Sequence, residues 1–172
     1  MTSWIKMVND NDADSDLREA LDVARTPHGT VDNVMRVHSL RPNTMYGHMK
    51  LYRAVLHDDA NTLPTWLQEV IGSYVSALNE CDYSFANHWK NAAFLIGDKS
   101  RANAIEDALR KRRLTDVFEG AELALLQYAE TLTLTPGKIR QLTVAVADCG
   151  SAFSAWPACS IVATQVVRVL PT

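Results

Sequence analysis

Apolar residues recur along most of this chain at the three-and-four spacing of helices, with almost no stretch alternating at the period of two that marks a half-buried strand. Leu17, Leu21 and Val23 mark one side of a predicted short helix from Asp16 to Ala24, capped by Ser15. After the turn signal TPHGT (26–30), Val31, Val34, Val37 and Leu40 repeat the spacing. Pro42 opens a helix that carries Met45, Met49, Leu51, Tyr52 and Val55 to about His57. The loop HDDANTLP (57–64) follows, and Pro64 starts the helix PTWLQEVIGSYVSALNE. The next helix begins around Cys81 and stops at Ile96-Gly97-Asp98. Ser100 to Arg113 and Gly120 to Leu132 are two more, Thr135-Pro136-Gly137 breaks the chain, and Lys138 to Asp148 is predicted helical. Beyond Pro157, which forbids one continuous helix, Ile161 to Val169 is read as helix despite its β-branched residues. No fixed-period repeat or low-complexity linker interrupts this pattern. It predicts an all-α single domain over 1–172, built from antiparallel helical hairpins.

Composition adds exclusions. With 172 residues the chain is long enough for a hydrophobic core without staples. A formal net charge of −3 gives no footprint for nucleic acid or a membrane surface. The one basic run, Arg110-Lys111-Arg112-Arg113, closes a predicted helix, where cations complement the negative end of the dipole. No apolar run approaches the roughly 18 residues of a membrane span, and the acidic N-terminal stretch lacks the apolar core of a signal peptide. Three cysteines, Cys81, Cys149 and Cys159, suit a reducing compartment, so the expected location is the cytoplasm.

The candidate chemistry lies in NECDYSFANHW (79–89). Ser84 and His88, four residues apart, share one helix face, and Cys81 joins it at the N-terminal end, where the helix dipole favours a thiolate. Glu69 precedes Cys81 by twelve residues. If the chain reverses near Asn79–Glu80, Glu69 comes level with the second turn of the next helix, within reach of His88. Tyr83, Phe85 and Trp89 either line an apolar pocket beside these groups or pack in the core. His28, His38, His48 and His57 fall at nearly even intervals, but that spacing does not set ligands on one helix face, and no metal is expected. A hydrolase reading of Ser84 lacks the nucleophile elbow and oxyanion loop.

The frame of Glu69, Cys81, Ser84 and His88 resembles the active-site motif of the alkylhydroperoxidase AhpD-like proteins, within the carboxymuconolactone decarboxylase superfamily. The segments DNVMRVHSLRPNTM, HMKLYRAVLH, SALNECDYSFANHW, LIGDKSRANAIEDAL and LLQYAETLTLTP are similar to its peroxidase-related branch, over roughly residues 3 to 150. The resemblance implies an all-helical AhpD-like bundle, a homo-oligomer, no metal and no cofactor. It also implies reduction of a small organic hydroperoxide at the expense of a thiol reductant. In that family the second cysteine of a Cys-x-x-Cys attacks the peroxide, the first resolves it, and Glu and His relay protons. Carried over, Glu69, Cys81 and His88 are present, while the attacking position is Ser84, which can form neither a sulfenic acid nor a disulfide. The implied activity is therefore impaired, and a non-redox homologue, either a proton-transfer enzyme or a binding protein, is the alternative. Near the end, Gln165-Val166-Val167 matches relatives, whereas Arg168-Val169-Leu170-Pro171-Thr172 and the stretch from Ser151 to Ser160 do not.

Overall fold

The computed structural model describes residues 5–26 and 28–141. The helix expected at Ile161 to Val169, most of that from Lys138 to Asp148, and Cys149 and Cys159 lie outside the described residues. Among the described residues there are seven α-helices joined by turns and short 3-10 segments, and no strand. The chain divides into two compact units, the first ending at Ala54 and the second beginning at Val55.

The first unit holds α1 (Ser15–Val23), the single-turn α2 (Asn33–Arg36) and most of α3 (Pro42–Leu56). The cap of α1 differs from expectation. Asp14, not Ser15, is the N-cap, and its carboxylate accepts from the Leu17 N–H at 2.9 Å. A carboxylate also complements the positive helix end, so the acid outcompetes the adjacent hydroxyl. Leu17, Ala20, Leu21, Met35 and Met45 form the core of this unit, with Val34, Tyr46 and Met49 packed against it. Asp10 pairs with Arg36, whose guanidinium holds the Asp10 carboxyl below the usual carboxylate range, chiefly by donating hydrogen bonds to it. His38 lies in the turn after α2 and His48 in α3. Their rings meet edge to face, with Nε2 of His38 2.9 Å from Nδ1 of His48.

In the second unit, α4 (Thr65–Leu78) packs on α5 (Asp82–Ile96), α6 (Lys99–Lys111) and α7 (Gly120–Leu134). Helix α4 is the central rod, for every residue from Leu67 to Ser76 is buried. Two of its hydroxyls bond back along the helix. Ser73 donates to the Glu69 carbonyl at 2.8 Å and Ser76 to the Gly72 carbonyl at 2.7 Å, each one turn back. Leu67, Val70, Ile71, Val75, Ile105, Leu109 and Leu126 supply the apolar core.

Punctuation in this unit follows the predicted stops. Gly97 ends α5 at φ 70°, a left-handed conformation that suits glycine, and Asp98 caps α6 by accepting from the Arg101 N–H at 2.7 Å. Arg112 closes α6 at φ 55°. The basic run that follows is matched by acids. Arg110 bonds Glu106 at 3.0 Å, Lys111 and Arg113 bond Asp107, Arg113 also meets Asp116 at 3.4 Å, and Arg112 pairs with Glu130. Glu130 also accepts from the buried Tyr74 hydroxyl at 2.8 Å. Burial, followed by that bond to a carboxylate, pushes the Tyr74 phenol well above its ordinary range. Among the described residues no helix is long and apolar enough to cross a membrane.

Candidate active site

The site is built by one tight reversal. Helix α4 ends with Glu80 at φ 54°, while the N–H of Cys81 reaches back to the Ser76 carbonyl at 2.9 Å. This is the six-to-one closure of a left-handed helix end, made here without a glycine. The chain then turns directly into α5, with Cys81 as N-cap and the Phe85 N–H bonded to the Cys81 carbonyl at 2.9 Å. The expected reversal at Asn79–Glu80 is therefore present, and α4 and α5 run antiparallel as a hairpin.

The register of that hairpin sets the chemistry. Reading down α4, positions 69, 72 and 76 recur at helical spacing along one face, opposite positions 88 and 84 of α5. The Glu69 carboxylate, only 5% exposed, accepts through Oε2 from Nδ1–H of His88 at 2.7 Å. Its other oxygen accepts from Nδ2–H of Asn91 at 3.3 Å. Gly72 lies against the imidazole; a Cβ there would stand 2.8 Å from Nδ1 and 3.0 Å from both Cε1 and Cγ. One turn further on, the Ser76 hydroxyl meets the Ser84 hydroxyl at 2.9 Å. Ser84 and His88 are 7% and 9% exposed, so the whole row is shielded from bulk water.

This geometry fixes what each group can do. A buried carboxylate costs several kcal/mol to desolvate unless it is paired, and the imidazole N–H provides that pairing. With Nδ1 donating to Glu69, the carboxylate sets the orientation of the His88 ring, the arrangement by which acids hold histidines in place. Cys81, partly exposed, stands at the helix start with a free thiol.

The structure thus brings Glu69, Ser84 and His88 into one buried row and sets Cys81 at the head of the same helix. Of the flanking aromatics, Phe85 is buried and stacks on Trp89 at 6.1 Å between ring centres, with the Arg110 guanidinium 3.8 Å from the centre of the Phe85 ring, while Tyr83 is exposed. Phe85 is therefore core. Among the described residues no group of three or more histidines, cysteines or acids is arranged to hold a metal ion. Three contributors were not evident from sequence: Gly72, Ser76 and Asn91. The helical spacing of 69, 72 and 76 carried a faint signal for two of them, visible only once the pairing of α4 with α5 is known.

No protein-family model and no curated protein sequence matches the chain. Solved structures do. A peroxidase-related protein from Ralstonia eutropha JMP134, described as an alkylhydroperoxidase AhpD core, superposes with a TM-score of 0.77 at 19% identity, covering 98% of this chain and 87% of that one. A peroxidase-related protein from Silicibacter sp. TM1040 gives a TM-score of 0.76 at 15% identity, covering 97% and 85%. A cysteine-to-alanine variant of the debrominase Bmp8, in complex with 2,3,4-tribromopyrrole, gives 0.73 at 17%, covering 98% and 87%. Coverage is near complete, and by its architecture the chain has the all-helical AhpD-like fold of the peroxidase-related proteins.

Proposed function

We propose that the protein reduces small organic hydroperoxides through Cys81, with Glu69 and His88 relaying protons, at a rate held down by Ser84. The observation that carries this reading is the buried 2.7 Å bond between Glu69 and His88 on the helix that Cys81 begins. A buried carboxylate is costly to desolvate, and this one is paired with an imidazole and an amide.

The cycle needs one thiol and an external reductant. His88 takes the thiol proton, the Cys81 thiolate attacks the terminal oxygen of ROOH, and the O–O bond breaks. The leaving alkoxide receives the proton and departs as ROH, leaving Cys81 as a sulfenic acid. A low-molecular-weight thiol then displaces water to form a mixed disulfide, and a second thiol molecule releases the oxidised reductant and restores Cys81. His88 lies seven positions after Cys81, roughly 10 Å along a helix axis, and Ser84 lies between them. Its hydroxyl, able both to accept and to donate, is the group through which the proton passes. Without a thiol at position 84 no internal disulfide forms, so each turnover waits for the external thiol. The reading places the protein in the cytoplasm, where such thiols are abundant, as a homo-oligomer acting on a small apolar hydroperoxide.

A second reading is a non-redox role, either proton transfer on a small organic molecule or binding alone. The buried pairing of Ser84 with Ser76 favours it, because a hydroxyl is at home in that row. The likeness to a debrominase holding a small halogenated ring supports an organic ligand. Hydroperoxide consumption with a dithiol reductant separates the readings. The expected result is slow turnover that Cys81→Ala abolishes and Ser84→Cys accelerates. Silence in both the natural protein and Ser84→Cys, with the fold intact, would overturn the peroxidase reading and leave the second.

A further inference from the structure

A carboxylate such as that of Glu69 can rotate about its side-chain torsions unless both oxygens are held. Among the described residues Oε2 is bonded to His88, and Oε1 has one partner, Nδ2 of Asn91 at 3.3 Å. His88 and Asn91 are three residues apart on α5, so one face of one helix grips both oxygens of an acid on the next. The two grips differ in kind. His88 is buried, whereas Asn91 is an exposed residue whose amide reaches inward to the carboxylate.

We infer that Asn91 is a positioning residue that holds the Glu69 carboxylate in the rotamer that fixes His88 as its Nδ1–H tautomer. The inference rests on the proposed role of the Glu69–His88 pair, but its physical content concerns the pair alone. With Oε1 held by an amide donor, negative charge stays on the carboxylate and Oε2 stays in line with the imidazole. Without it, Oε1 loses its one described donor and the carboxylate is free to turn. Nothing else at position 91 calls for an amide, since its side chain has no other bond among those described and buries no apolar surface that leucine would not.

That last point makes the test clean. Asn91→Leu keeps the size of the side chain and removes the donor at an exposed position, so the fold should hold with a modestly lower midpoint. Nitrogen-15 NMR of the histidine rings reads the effect without any substrate. In the natural protein the His88 Nδ1–H should give a downfield, slowly exchanging proton signal and the nitrogen shifts of a single tautomer. In Asn91→Leu that proton should exchange with water roughly tenfold faster, the weight of one hydrogen bond to a charged group, and the shifts should report mixed tautomers. Asn91→Gln, which keeps the amide, should restore both signatures. An unchanged signal and exchange rate in Asn91→Leu would overturn the inference. If instead the NMR signature changes as expected while hydroperoxide consumption continues at the same rate, the positioning role stands and the Glu69–His88 relay in the proposed cycle falls.

Discussion

Replacing Gly72 by alanine tests the helix-to-ring contact at the heart of the site. In an ordinary buried helix this change is favourable by about 1 kcal/mol, because glycine is the poorer helix former. Here the new Cβ would lie 2.8 Å from His88 Nδ1, whereas carbon contacts settle at about 3.5–4.0 Å. The ring must retreat by close to 1 Å, and the 2.7 Å bond from Nδ1 to Glu69 is stretched beyond use. Losing a hydrogen bond to a buried charge costs about 1.5 kcal/mol or more, and the overpacking adds about 1–2 kcal/mol. Subtracting the propensity gain leaves a net destabilisation of about 2 kcal/mol, visible as a lower urea midpoint at unchanged slope. A double-mutant cycle isolates the cause. With His88→Ala in place the obstacle is gone, and Gly72→Ala should then stabilise by up to about 1 kcal/mol. The coupling is thus about 3 kcal/mol. The reasoning is refuted if Gly72→Ala stabilises the protein with His88 intact, or destabilises it equally without His88.

Other expectations concern the frame around the site. The raised Tyr74 phenol stays neutral in the folded protein after tyrosine in the unfolded chain begins to ionise near pH 10. Its stabilising effect is complete below that pH and declines above it at about 1.4 kcal/mol per pH unit; alkaline denaturation of Tyr74→Phe should lack that component of the slope. Asp98→Ala removes the carboxylate that accepts from the Arg101 N–H at the start of α6. A loss of about 1 kcal/mol is expected in chemical denaturation, with Asp98→Ser retaining most of the stability.

The helices were legible because their signals are local. Pro42, Gly97 and Gly120 stand where the sequence set them, and the row of Glu69, Ser84 and His88 followed from spacing plus one assumed reversal. That reversal carried no glycine to announce it; Glu80 adopts the left-handed conformation at the end of α4 instead. Contributions that act across the hairpin were not legible. Gly72 looks like a weak helix residue until the imidazole is seen against it, Ser76 like filler until it meets Ser84, and Asn91 like surface until its amide reaches Glu69. The N-cap of α1 was misplaced by one residue, since Asp14 and Ser15 are both good caps and only backbone geometry chooses between them. The even intervals of His38 and His48 were rightly no helix-face pattern, yet the two rings touch because they come from different elements.

The acids set against residues 110–113 change how other molecules meet that corner of the protein. On paper four successive cations look like a handle for a polyanion or an address read by transport machinery. In space, opposite signs alternate at separations well inside the screening length of about 8 Å at physiological ionic strength. Each of the four cations thus has an acid at close range, and the net field of the run is weaker than its sequence suggests.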